Sequence, residues 1–597
     1  MRIPRWDYVL SSEKTNECIK ELALWCTSQI KNATIREDIT AFVSGDDFHS
    51  LCNFAVDYSA VSASDAYFLR QTLALYQKRQ DLELGIDKKA VAWSTFKDSE
   101  RLCFETNRIF RNWSQGSFQF EPCVEAVLHS AQRKIASVLG DVPSLEAIKA
   151  RFGPGATTQL TKRKASARRK LGQALCASED LAPLLPELLA EMPLWIDQYY
   201  NGESEVALVP VDLHPGRLGF VPKNAKTFRG ICVEPGLNTM WQIGIGEFIA
   251  RKLKAVGIDI TDQTRNQNLA KEGSVSGALA TLDLSSASDT IARELVAHLL
   301  PIDWFLFLDQ FRTGTVVFEE ESVKLQKFSS MGNGFTFPLE TLIFWGLAAA
   351  CCDKRDQDKV SVFGDDIIVP TYAYPLLART LRAAGFLLNS EKSFASGPFR
   401  ESCGKDYYSG ILIRPVYLKD RLSGESAFTM HNYMVRAGFP DAARIILSWL
   451  DPCIQIWGPD GYGDGHLIGD WDATPHRRTL SDNPRVSSGW SGYTFETFTW
   501  KGLKDFKPYP NDFVYPSYCA YVGGDLSPLG DPALPVLAKR ADLVRRYWEQ
   551  SQVASIFKGL HSLGGCNTTP HQKGLIGSSL PGKKGYKRIK IYTLDPS

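Results

Sequence analysis

The sequence predicts an α+β fold, and three observations carry that expectation. Apolar residues recur at helical spacing through about the first 150 residues. Short runs of strand formers follow in the middle of the chain, at 218–231, 279–284 and 360–369. The last of these runs is split by Gly364, Asp365 and Asp366, which reads as a β-hairpin with two adjacent carboxylates at its tip.

Composition sets the bounds. A chain of 597 residues is long enough for several domains around more than one core. Apolar residues make up 44% and charged residues 23%, which is ordinary globular composition. With 68 basic against 67 acidic residues the net charge is +1, so a nucleic-acid surface has to come from local segregation of charge. The 13 cysteines are scattered without zinc-ligand spacing, and reduced thiols in a cytosol are the simplest reading. The first residues lack the apolar core of a signal peptide, and the most apolar run, from Thr341 to Cys352, is too short to span a bilayer. A soluble intracellular protein is expected.

The helical region comes first. Cys18–Trp25, Tyr67–Tyr76 and Val124–Ile135 carry apolar residues at helical spacing, and Pro143 and Ser144 mark a turn and a new helix start. No chemistry is legible there; His129 reads as a surface or packing residue. The Gly/Pro-broken loop Arg151–Thr158 leads into a basic run, Lys162, Arg163, Lys164, Arg168, Arg169 and Lys170. A solvated face and a phosphate contact explain that run equally well.

The strands carry more information. Leu218–Ile231 reads as a strand or hairpin with cations at Lys223, Lys226 and Arg229. Lysines as point charges and a bidentate arginine suit a polyphosphate, and a charged edge strand is an equal alternative. Leu279–Leu284 is strand-like, with Asp283 inside the apolar run near its end. A carboxylate there needs a partner: either a metal shared with Asp365 or backbone donors. Ser285–Asp289 are expected to cap a helix starting near Ile291.

Ser329–Gly334 forms a Gly/Ser-rich loop feeding an apolar helix that ends near Cys352. Its glycines leave room for a sugar or base against the backbone, and a flexible loop before a core helix is the plain reading. After the hairpin, a helix ended by Gly385 leads to a strand reaching Lys392, and Ser402–Ile413 reads as a turn and strand. From about 420 the chain is rich in Trp, Tyr, Gly and Pro, with helical patches near 441–450 and 537–550. The loop Gly458–Gly465 has no legible purpose. Lys573, Lys583, Lys584, Tyr586, Lys587, Arg588 and Lys590 read as a mobile tail suited to RNA contact or to solubility.

The Gly-Asp-Asp tip bears the sharpest chemical signal. Gly364 supplies the freedom a tight reversal needs. Two half-buried carboxylates repel each other and invite a cation, and hard oxygen ligands favour Mg²⁺ or Mn²⁺ over zinc. An ordinary turn is the rival for this stretch alone, since Gly and Asp are turn residues.

Taken in order, these segments resemble the palm and fingers motifs of right-hand polymerases, and Phe363–Asp366 resembles the signature of RNA-dependent RNA polymerases. Val221–Thr227, Gly273–Val275, Leu284–Asp289, Ser329–Gly334, Gly397–Lys405 and Asp460–Gly465 are similar to the replicase beta subunits of single-stranded RNA bacteriophages, the Q-beta-like leviviruses. Leu84–Asp87 and Ala90–Trp93 extend the resemblance, which spans roughly residues 80–470.

The resemblance implies a right hand of fingers, a palm with an antiparallel sheet, and a thumb. A helical region over 1–150, fingers over 151–275, palm over 276–410 and thumb with the C-terminal region over 411–597 are the expected divisions. The implied activity is template-directed RNA synthesis by two-metal nucleotidyl transfer, replicating a phage genome. Asp283 and Asp365 would ligate two Mg²⁺ ions with Asp366 assisting, and Mn²⁺ or Ca²⁺ would substitute in binding. Lys223, Lys226 and Arg229 would hold the triphosphate, and Lys392 would protonate pyrophosphate. Asp289 and the loop containing Ser330, Gly332, Asn333 and Thr336 would inspect the ribose 2′-hydroxyl.

Implied partners are a single-stranded RNA template, nucleoside triphosphates, the host elongation factors Tu and Ts and a ribosomal protein, in the cytoplasm of an infected bacterium and without a membrane. The chain departs from the better-known viral enzymes at three points. Asp289 lies one residue further from Asp283, Glu340 stands in place of Asn, and Phe363 replaces Tyr. A reverse transcriptase and a non-catalytic RNA-binding replication scaffold are the rival functions. No Walker loop is present to suggest an NTP-driven motor.

Overall fold

Helices and sheets form mostly where short-range periodicity places them. The computed structural model describes residues 1–192, 209–469, 478–479, 493–502, 518 and 583–593. Helices Ser12–Ser28, Pro122–Leu139 and Thr336–Ala350 enclose the apolar stretches read from the sequence. Secondary structure is mixed helix and mainly antiparallel sheet, an α+β protein. No helix among the described residues is long and apolar enough to cross a membrane.

The chain divides into two compact units. One comprises residues 1–54, 71–84 and 416–597; the other comprises 55–70 and 85–415.

In the first unit the N-terminal residues are pinned to a distant segment. The Ile3 N–H donates to the Trp449 carbonyl at 2.8 Å, and the Leu10 N–H to the Leu422 carbonyl at 2.9 Å. Trp6 is fully buried and its ring lies 5.8 Å from Phe498, 5.2 Å from Trp500 and 6.0 Å from Tyr586. Tyr586 belongs to Lys583–Thr593, which is a strand paired antiparallel to Tyr493–Gly502, not a mobile tail. Tyr586 and Ile589 suit a strand, and the packing of Tyr586 on Trp6 and Phe498 holds it there. Lys573 and the expected helix near 537–550 lie outside the described residues. The Gly458–Gly465 loop acquires a purpose: Arg436 ion-pairs with Asp460 at 2.8 Å and Asp464 at 2.9 Å, tying the loop to helix Gly424–Arg436.

In the second unit, helix Thr336–Ala350 is buried on nearly all sides, as its unbroken apolar sequence demands. Gly346 lets it approach helix Pro122–Leu139, since a Cβ there would stand 2.7 Å from Ile135. Among the described residues, three sheets of three or four strands belong to the same unit. A four-stranded sheet orders Phe228–Val233, Gly216–Pro222, Thr315–Phe318 and Glu321–Lys324. A three-stranded antiparallel sheet orders Leu279–Leu282, Asp366–Pro370 and Ser361–Phe363. Phe399–Ser402, Lys405–Tyr408 and Ile411–Leu412 form the third.

Three local expectations are corrected. The helix after Asp289 begins at Arg293, with Ala292 at its N-cap and no side-chain cap. Residues 287–290 instead form a 3₁₀ turn whose Ser288 and Asp289 side chains are drawn to Glu340 and Lys327. The strand before Lys392 is only Leu387–Leu388, and Lys392 sits in the turn beyond it. Lys170 leaves the basic run, because it is buried and its Nζ donates to the Gly153 carbonyl at 2.6 Å.

Candidate active site

The hairpin forms as the sequence dictates. Asp366 pairs with Phe363, so Gly364 and Asp365 make a two-residue turn. Gly364 has φ +62°, and Asp365 is not among the residues with positive φ, the pattern of a II′ turn with glycine first. A Cβ on Gly364 would collide with the Phe337 ring. Helix Thr336–Ala350 supports the tip from beneath: the Gly364 N–H donates to Thr341 Oγ1 at 3.0 Å, and Phe337 meets Phe363 edge-on at 5.1 Å.

Register brings in the third carboxylate. Leu282 ends its strand paired with Ile367, so Asp283, the next residue, follows the strand level with Asp366. The turn 389–393 wraps Asp283. Asn389 Nδ2 donates to its carboxylate at 2.9 Å, the Asn389 N–H to its carbonyl at 2.9 Å, and the Asp283 N–H donates to Ser393 Oγ at 3.1 Å. Lys392 Nζ stands 3.9 Å from Asp283 Oδ2.

Asp366 is held from the other side. Ser402 Oγ donates to Asp366 Oδ1 at 3.3 Å. Buried Asn266 donates to the Asp366 carbonyl at 3.1 Å and to Ser402 Oγ at 3.2 Å, and accepts from Ser361 Oγ at 2.6 Å.

The charges are strained accordingly. Burial pushes the Asp366 carboxyl up to about 7, with repulsion from Asp365 adding and the Cys403 N–H opposing. Asp365 is raised by burial and by Asp283, against Lys392 and Arg229. Lys392 is raised: desolvation by the surrounding atoms works against its charge although its own surface stays open, and the carboxylates of Asp283, Glu401, Asp366 and Asp365 more than offset it. Among the described residues no three His, Cys, Asp or Glu side chains close around one ion. The donors at this end of the sheet are nevertheless all hard oxygens in mutual repulsion, a set that fits a hard divalent cation and not zinc.

The cationic segment is a hairpin. Pro222 pairs with Phe228, and Asn224 Oδ1 accepts from the Lys226 and Thr227 N–H groups at 3.0 and 3.1 Å to shape its loop. Lys223 is lowered, first by the desolvation that surrounding atoms impose although its own surface stays open, then by Arg229 and Lys392. Asp283 and Asp365 counter that shift, so Lys223 stands within the field of the carboxylates. Arg229 is exposed, and Lys226 is half-buried in the loop.

The Ser329–Thr336 loop is packed, not flexible. Gly332 has φ +120°, and a Cβ there would collide with the Cys232 carbonyl. Gly334 abuts the backbone of Ile243, and its N–H donates to Gln242 Oε1 at 3.2 Å. The close approach these glycines permit is to the protein's own backbone. Ser330 is buried and its carbonyl accepts from Thr336 Oγ1 at 2.9 Å. Asn333 is buried, accepts from the Phe335 N–H at 3.0 Å, and its Nδ2 is unpaired.

The residues that sequence reasoning missed are Asn266, Asn389, Glu401 and Lys327. Glu340 stands out in the sequence only as a departure from the better-known viral enzymes. It is buried on the core helix, accepts from Ser288 Oγ at 2.7 Å, and burial pushes it up to about 8, with Asp365 and Asp289 adding.

A model of the RNA replicase beta-chain family matches residues 27–469. The chain belongs to that family. The replicase chain is 39% identical to the RNA-directed RNA polymerase subunit beta of Escherichia virus Qbeta, over 66% of this chain and 68% of that one. It is 36% identical to the corresponding subunit of Enterobacteria phage SP, over 65% of this chain and 68% of that one. A solved RNA-dependent RNA polymerase of a human picorbirnavirus overlaps 40% of the replicase chain and 55% of its own, at 13% identity and a TM-score of 0.28.

Proposed function

We propose that Asp283, Asp365 and Asp366 hold two divalent cations, and that nucleotidyl transfer occurs beside them. By family the chain is an RNA-directed RNA polymerase of a single-stranded RNA phage. The observation that supports this site is the meeting of three carboxylates at one end of a sheet, with Asp366 pushed up to about 7, chiefly by burial and by Asp365.

Mg²⁺ is the cation this oxygen set favours, with Mn²⁺ or Ca²⁺ able to take its place in binding. Bound there, the cations would activate a 3′-hydroxyl and offset the charge of departing pyrophosphate. The chain's own residues do the positioning. Asn389 and Ser393 fix Asp283; Ser402 and Asn266 fix the Asp366 strand. Lys223 and Arg229, with Lys226 in the same hairpin, offer cations to a triphosphate. Lys392, kept charged by four carboxylates, is the group able to give a proton to pyrophosphate. Asp289 and the loop carrying Ser330, Gly332, Asn333 and Thr336 are assigned to the ribose 2′-hydroxyl.

In this reading the second unit supplies fingers and palm and the first supplies the thumb. The template is single-stranded RNA. The relatives' names call them beta subunits, which supports an assembly with other chains; elongation factors Tu and Ts and a ribosomal protein, in the host cytoplasm, are the partners proposed.

The test is nucleotide incorporation on a C-ended single-stranded RNA with Mg²⁺, with and without Tu and Ts. Wild type should give template-dependent product, and Asp365→Ala should lose about a thousandfold or more. Equal product from both would remove the Gly-Asp-Asp hairpin from the active centre.

A further inference from the structure

Lys327, like Arg400, is a fully buried cation of the second unit. Its Nζ lies 2.8 Å from Asp289 Oδ1 and 3.4 Å from Glu100 Oε1, and 4.1 Å above the Phe96 ring. A buried ammonium is tolerated only when it is paired, and here two carboxylates and an aromatic face share it.

The backbone around it is fixed. The Phe328 N–H donates to the Ile291 carbonyl at 2.7 Å, and the Gln326 N–H to Glu100 Oε2 at 2.6 Å. Asn107 Nδ2 donates to the Gln326 carbonyl at 2.8 Å while its Oδ1 accepts from the Glu294 N–H at 2.8 Å. The main chain that carries Lys327 is thereby held in place beside Asp289. Asp289 itself keeps a quarter of its side-chain surface open, so part of it faces out of this buried cluster. On the other side of the same turn, Ser288 is tied to Glu340 at 2.7 Å.

We propose that Lys327 is a positioning residue for sugar selection, fixing the orientation of Asp289. The proposal rests on the assignment of Asp289 to the ribose. A carboxylate held in one rotamer accepts a hydrogen bond from a 2′-hydroxyl. Opposite a deoxyribose it is left without that partner, and such an unpaired polar group is what makes discrimination strong. Once freed from Lys327, Asp289 can turn away, and both sugars meet a similar surface.

The experiment measures kcat/KM for ATP and for dATP with the full-length chain in its active assembly. It compares wild type, Asp289→Asn, Lys327→Met, and the double variant Lys327→Met with Glu100→Gln. The single lysine variant leaves two carboxylates facing each other without their cation, so it is the one at risk of not folding. The double variant removes one charge of each sign and keeps the interior balanced. Thermal unfolding reports which variants fold.

The expected result is that Asp289→Asn and each folded Lys327 variant lower the ATP to dATP ratio about tenfold, with ATP turnover falling more than dATP turnover. A uniform loss on both nucleotides would mark a merely structural lysine and overturn the proposal. A lowered ratio in Asp289→Asn beside an unchanged ratio in the folded double variant would overturn the role of Lys327 and leave Asp289 as the reader. An unchanged ratio in Asp289→Asn would overturn the ribose assignment, and the role of Lys327 would fall with it.

Discussion

Glu340 puts a carboxyl inside the core helix, and its protonation is linked to stability. Burial, with Asp365 and Asp289 adding, raises it from 4.5 to about 8. Between those values the folded chain holds a proton that the unfolded chain has lost. The stability slope is therefore negative there: stability is greatest below 4.5 and falls as pH rises toward about 8. Glutamine keeps the shape and the Ser288 contact without the charge. In chelator-treated protein, Glu340→Gln should unfold at a higher temperature than wild type at pH 8 and show little difference at pH 5. A gap that widens toward acid would reverse the sign and refute the assignment. Gly364 makes a second case at this scale. Its φ of +62° and the Phe337 ring in the path of a Cβ make Gly364→Ala costly, at roughly 1–3 kcal/mol. Urea unfolding would read that loss, and nucleotide incorporation should fall with it.

At the scale of elements, the Asn266 side chain ties the hairpin to helix Thr264–Ser276. Asn266 joins the Asp366 carbonyl, Ser402 and Ser361, three groups on three strands. Asn266→Ala would leave buried partners unpaired, at roughly 1–3 kcal/mol each where no water replaces the amide. Asp366 would then lose its backing from the Ser402 strand. The expected outcome is a lowered urea midpoint with a larger fall in kcat than in KM for nucleotide; a stable variant of normal activity would contradict it.

What was legible in the sequence follows from the range of each interaction. The hairpin was legible because Gly364 and its flanking strand formers are neighbours. Asp283 was legible because a carboxylate inside an apolar run needs a partner. Asn389 and Asn266 were not, because a single amide gives no periodic signal and its partners are set by the tertiary fold. Lys327 and Glu340 did leave a trace, each being a charge flanked by buried apolar residues such as Leu325, Phe328, Leu339 and Leu342. The strand at Lys583–Thr593 was obscured because its lysines resemble a solvated tail, while the Trp6 that Tyr586 packs against lies at the opposite end of the chain.

The whole molecule has two compact units, and only the one spanning 55–70 and 85–415 contains Asp283, Asp365 and Asp366. A single unfolding temperature is then a poor description, and the units can melt as separate transitions. Carboxylates held in mutual repulsion destabilise their own unit, and a cation that binds them only when folded stabilises it by mass action. At a hundredfold excess over Kd that amounts to about 2.7 kcal/mol per site. Calorimetry with increasing Mg²⁺ should therefore move one transition upward and leave the other nearly still. Mn²⁺ should act in the same way, and a monovalent salt of equal ionic strength should not. Asp365→Asn should abolish most of the shift. It should also raise the metal-free transition, because it relieves the repulsion that burial imposes on Asp366. A shift of both transitions, or one that persists in Asp365→Asn, would place the cation elsewhere in the chain and detach the Gly-Asp-Asp hairpin from metal binding.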